Sequence, residues 1–98
     1  MKEKLVRDRA KEQYPHDRYR TVEGEEYYMM LLHKLDEEVD ELIESGCTDP
    51  AEYADVLTVL GALANYRNVP EETIKETAEN KILERGGFRK GIVWIIIE

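Results

Sequence analysis

The sequence predicts a mainly all-α fold: an antiparallel bundle of three main helices with a small two-stranded β ribbon (residues 19–22 with 91–97), completed by homo-oligomerisation. Three observations carry that expectation. Apolar residues recur at helical spacing through three successive segments, glycine or proline punctuates each segment, and the last stretch, "GIVWIIIE", is β-branched and aromatic with no helical period.

The first predicted helix, in "YYMMLLHKLDEEVDELIES", has an apolar stripe of Tyr28, Leu31, Leu32, Leu35, Val39, Leu42 and Ile43. "SGCTDP" closes it with Gly46 and opens the next with Asp49 as N-cap and Pro50 at the first helical position. "AEYADVLTVLGALANYR" repeats the pattern through Tyr53, Val56, Leu57, Leu60, Leu63 and Ala64. A third helix starts at Asn68 or Val69-Pro70, with acids in its first turn, and stops at Arg85 before Gly86-Gly87. A lone strand at 91–97 needs a ladder partner, and 19–22 is the best local candidate.

The 98 residues predict one domain, 1–98. A chain this short buries only about 60–70% of its unfolded surface, so its private core is thin, and a strongly apolar tail favours a homodimer or homotetramer. The net charge of −8, from 22 acidic and 14 basic side chains, is a poor match for nucleic acid, which is bound by neutralising phosphates. No apolar run reaches the roughly 20 residues of a membrane helix, so no membrane partner is expected. One cysteine, Cys47, rules out an intrachain disulfide. The opening "MKEKLVRDRAKEQ" is charged throughout, without the apolar stretch of a signal peptide, and the expected compartment is the cytoplasm.

The chemistry concentrates in residues 34–57. Acidic residues on helices usually form a solvated face, and Glu37, Asp40 and Glu44 fit that reading. Glu38, about 60° round from Leu35, lies at the edge of the apolar stripe, with Glu41 further round on the same side. On the second helix Glu52 lies about 40° from Val56, among apolar residues, and Asp55 falls on the same side. A carboxylate inside an apolar stripe costs several kcal/mol unless paired or bound to metal. If the helices fold back around Gly46-Cys47, Glu41 faces Glu52 and Glu38 faces Asp55, so four carboxylates converge. Oxygen ligands with no companion His or Cys suit Mg²⁺ or Mn²⁺ better than zinc. A di-iron bundle would need Glu-x-x-His, which neither His16 nor His33 supplies. On the third helix Lys81 and Arg85 lie within about 20° of Ile74, with Asn80 to the side. Two long cations on an inward stripe suit substrate phosphate, though cations near a helix C-terminus also simply complement its dipole.

"EEVDE" followed by "EYAD" resembles the EExxE…ExxD signature of the MazG-like, all-α nucleoside triphosphate pyrophosphohydrolases. "NKILERGGF" looks like the Asn/Lys/Arg segment that this superfamily places on phosphates. With "KLVRDR", the chain resembles a short phosphoribosyl-ATP pyrophosphohydrolase-like subgroup over nearly its whole length.

The resemblance implies that Glu38, Glu41, Glu52 and Asp55 bind Mg²⁺ and that Asn80, Lys81 and Arg85 touch a nucleotide substrate. The implied reaction is hydrolysis of the α–β phosphoanhydride bond of a non-standard or surplus nucleoside triphosphate to monophosphate and pyrophosphate. This is a house-cleaning activity, performed in such families by dimers or dimers of dimers. "ADVLTVLGAL" lacks the His that follows the ExxD aspartate in the histidine-pathway enzymes, which weighs against phosphoribosyl-ATP as substrate. The other competing reading is a non-catalytic helical interaction module, which explains the apolar stripes but not a carboxylate within one of them.

Overall fold

The computed structural model describes residues 2–97. Four helices follow one another: α1 (Ala10–Gln13), α2 (Gly24–Glu44), α3 (Pro50–Tyr66) and α4 (Glu71–Arg85). The all-α expectation holds. None of these helices is long and apolar enough to cross a membrane.

The turn between α2 and α3 forms as its residues dictate. Gly46 adopts φ 72° and donates its N–H to Ile43 O at 2.9 Å, while the Cys47 N–H reaches Leu42 O at 3.1 Å. Asp49 caps α3 by accepting from Ala51 N at 2.9 Å, with Pro50 in the first turn. The two helices then pack along their length. Tyr27 and Tyr66, equally far in sequence from the Gly46-Cys47 centre of the turn, meet edge to face at 5.7 Å between ring centroids. Tyr28 stacks on Tyr66 at 5.5 Å, and the Arg67 guanidinium lies over the Tyr28 ring at 4.2 Å. Leu31, Val59 and Ala64 form the buried apolar core between the helices.

Two expectations fail. Among the described residues there is no strand, so the ribbon between 19–22 and 91–97 does not form. The first segment is anchored elsewhere. Arg20 pairs with Glu3 at 2.7 and 3.1 Å and with Glu26 at 2.8 Å, which holds it to the N-terminal residues and α2. Ile92 to Ile97 are left 75–91% exposed.

The third main helix is also not packed into a closed bundle. α4 contains no buried residue, and Ile74, Ile82 and Leu83 are exposed. Its first turn comes close to α3, where a Cβ on Gly61 would lie 3.2 Å from Glu71 Oε1. The radius of gyration, 17.3 Å, exceeds the roughly 13 Å of a compact domain this size. The physical reason is composition: α4 carries Lys81 and Arg85 on the same stripe as its few apolar residues. That stripe is too narrow and too charged to seal the hairpin.

Candidate metal centre

α2 and α3 bring acidic side chains together in the half of the hairpin nearer the turn. One carboxylate oxygen from each of Glu38, Glu52 and Asp55 lies within 4.8 Å of the others. A second group, Glu37, Glu38 and Glu41, satisfies the same limit, so Glu38 belongs to both. Oxygens on opposite sides of a bound Mg²⁺ stand about 4 Å apart, so small side-chain adjustments suffice to enclose a cation.

Glu38 is the centre of the arrangement. It is only 5% exposed, and its sole cationic partner among the described residues is Lys34, whose Nζ donates to Oε1 at 3.0 Å. Its Oε2 is buried without a hydrogen-bond partner, as is Oε2 of Glu52. An orphaned buried carboxylate oxygen is costly and rare, so two within one acidic group call for a ligand. With only hard oxygen donors in reach, and with His16 and His33 exposed, the residues present fit a hard divalent cation.

The electrostatics carry the same strain. The negative charge of Glu38 pushes the Glu41 carboxyl up, with burial, Glu52 and Glu37 adding to the effect. Burial raises the Glu52 carboxyl, reinforced by Asp55, Asp49 and Glu38. Burial works against the Lys34 charge, yet its bonds to Glu38 and Glu37 prevail and its pKa rises. A carboxyl raised by folding contributes stability below its unfolded value, near pH 4.3, and loses it as pH rises through the folded value. The cation-free protein should therefore gain melting temperature as the pH is lowered from neutral through the raised values of Glu41 and Glu52. The gain reverses at lower pH, where Glu3 and Glu26, held down by Arg20, become protonated. Saturating divalent cation should abolish the gain, because it stabilises the ionised carboxylates. Melting curves at stepped pH, with and without cation, check both halves.

The structure places the four acids expected from sequence in two groups and not one: Glu38 joins Glu52 and Asp55, and Glu41 sits with Glu37 and Glu38. Glu37 corrects the surface reading given to it. It is half-buried and bonded to Lys34 at 3.3 Å and Lys4 at 3.7 Å, because the N-terminal segment folds over its side of α2. Asp40 and Glu44 are exposed, as expected. Asn80, Lys81 and Arg85 are exposed on α4 and do not line the cleft beside the acids.

The cations that do reach the cleft are Lys34 and Arg7. Lys34 was legible as an i, i+4 partner of Glu38 in "KLDEE". Arg7 Nη2 bonds Asp55 Oδ1 at 2.5 Å, a pairing between residues 48 apart that no local spacing gives. The cleft, with Leu31 and Val59 in its lining, has a volume of about 270 Å³.

No family model matches the chain, and no curated protein or solved structure matches it either. Fold and site define the class: an all-α protein whose central helical hairpin carries a part-buried carboxylate cluster suited to a hard cation.

Proposed function

We propose that the protein is a Mg²⁺-dependent nucleoside triphosphate pyrophosphohydrolase of the MazG-like kind, acting on a non-standard or surplus nucleotide. The observation that supports this most is the pair of orphaned buried oxygens on Glu38 and Glu52 beside Asp55. A purely structural hairpin gains nothing from such a pair. A helical interaction module explains the exposed apolar surface but leaves those oxygens unaccounted for.

Glu38, Glu41, Glu52 and Asp55 would hold the cation, with Glu38 shared between the two groups. Bound there, Mg²⁺ or Mn²⁺ supplies charge neutralisation for substrate phosphate oxygens and makes a nearby water more acidic. One of these carboxylates would accept a proton from the attacking water. The water oxygen bonds to the α-phosphorus and the α–β bridging bond breaks, releasing monophosphate and pyrophosphate. Lys34 keeps Glu38 oriented through its 3.0 Å bond.

The proposed assembly is a homodimer or homotetramer. Three features support it: the bare apolar tail, the undocked α4, and a cleft smaller than the roughly 300–1,000 Å³ of small-molecule sites. In that assembly Asn80, Lys81 and Arg85 of α4 would serve the phosphates bound at another copy's hairpin.

The test is pyrophosphate release with Mg²⁺ across nucleoside triphosphates, deoxynucleoside triphosphates, oxidised nucleotides and phosphoribosyl-ATP. Release from a triphosphate, stopped by chelation, is expected. Turnover confined to phosphoribosyl-ATP would move the substrate assignment, and no release from any would overturn the enzymatic reading.

A further inference from the structure

The N-terminal segment "KLVRD" lies over the hairpin, and Leu5 to Asp8 line the same cleft as Glu38 and Asp55. It brings one cation to each acidic group. Lys4 Nζ approaches Glu37 Oε1 at 3.7 Å. Arg7 Nη2 lies 2.5 Å from Asp55 Oδ1 and 3.5 Å from Thr58 Oγ1. The Asp55 carboxylate that a cation would need is thereby engaged by a guanidinium. Glu38, which lines the same cleft, is more than nine-tenths buried, and its Oε2 has no partner.

We propose that this segment is a counter-ion strap. Arg7 stands in for the divalent cation at Asp55, gives up that carboxylate when the cation binds, and then offers its guanidinium to substrate phosphate in the same cleft. The inference rests on the cation-dependent reading above and adds to it a residue that couples cation loading to anion recognition.

The chemistry favours exchange over a fixed pair. Arg7 and Asp55 side chains are 62% and 34% exposed, so water screens their attraction and the bond is readily traded. A divalent cation among several carboxylates outcompetes one monovalent guanidinium for the same oxygen. Arginine stays charged throughout, and its planar donor fork fits phosphate as well as carboxylate. Leu5, half-buried beside the hairpin, keeps the strap in place while the guanidinium changes partner.

Isothermal titration of the full chain at low ionic strength tests this, with Mn²⁺ and then inorganic pyrophosphate in saturating Mn²⁺. Arg7→Gln should bind Mn²⁺ about three- to tenfold more tightly than the parent and bind pyrophosphate about tenfold more weakly. Arg7→Lys, which keeps the charge, should hold Mn²⁺ affinity within about twofold of the parent and still lose pyrophosphate affinity. Arg89→Gln, which removes a cation outside the cleft, should change neither. Mn²⁺ affinity no tighter in Arg7→Gln than in the parent would overturn the exchange, and unchanged pyrophosphate affinity would overturn the phosphate role. Absence of Mn²⁺ binding in every variant would overturn the cation reading itself, and the strap with it.

Discussion

Glu38→Gln should lower cation-dependent hydrolysis by at least about a hundredfold while leaving the cation-free chain no less stable than the parent. The two halves have separate causes. Glu38 is the carboxylate common to both acidic groups, and its Oε2 is buried without a partner. An amide there keeps the shape but loses the charge that holds a divalent ion. Without cation, Glu38 stands among Glu37, Glu41, Glu52 and Asp55 with one close counter-ion, Lys34. Removing its charge relieves the repulsion that pushes Glu41 up, and an amide oxygen still accepts from Lys34. Pyrophosphate release reads the first half, and melting curves with and without Mg²⁺ read the second: the parent's melting temperature should rise with cation, the variant's should not. A variant much less stable than the parent without cation would make Glu38 a structural residue.

The second large effect belongs to the tail. Trp94→Asp, or truncation after residue 90, should turn the proposed oligomer into a monomer with a much lower melting temperature. Ile92, Val93, Trp94, Ile95, Ile96 and Ile97 are each at least 75% exposed in the single chain. Burying such a side chain is worth about 1.5–3 kcal/mol, an upper estimate that association costs reduce. Six together rival the whole margin of about 5–15 kcal/mol that keeps a domain folded. Light scattering coupled to size exclusion gives the answer directly. A parent that is monomeric at micromolar concentration, or a truncated chain that assembles normally, would remove the assembly from the account.

The contrast between hairpin and tail shows what the sequence could carry. The hairpin was legible because its determinants are local. Gly46 and the Asp49-Pro50 cap fix where the chain reverses, and reversal at that point sets Glu38 opposite Asp55 and Tyr27 opposite Tyr66. The tail has strand chemistry, but a strand exists only with a partner, and Arg20 commits residues 19–22 to Glu3 and Glu26. The acids were found because carboxylates on an apolar stripe are conspicuous. The neighbours of the cations were not legible, because periodicity gives a face and not a neighbour. Lys81 and Arg85 share a stripe with Ile74, yet α4 buries nothing against the hairpin. Arg7 sits in a charged segment without a period, and its pairing with Asp55 depends on the tertiary course of the chain.

In the proposed function Glu38, Glu52 and Asp55 hold a divalent cation between α2 and α3. Diffraction from crystals grown with Mn²⁺, recorded for its anomalous signal, tests it most directly. The account predicts an anomalous peak within coordination distance of oxygens from all three residues, with Arg7 no longer on Asp55. A well-ordered hairpin with no peak there, and Lys34 and Arg7 still bonded to the acids, would contradict it.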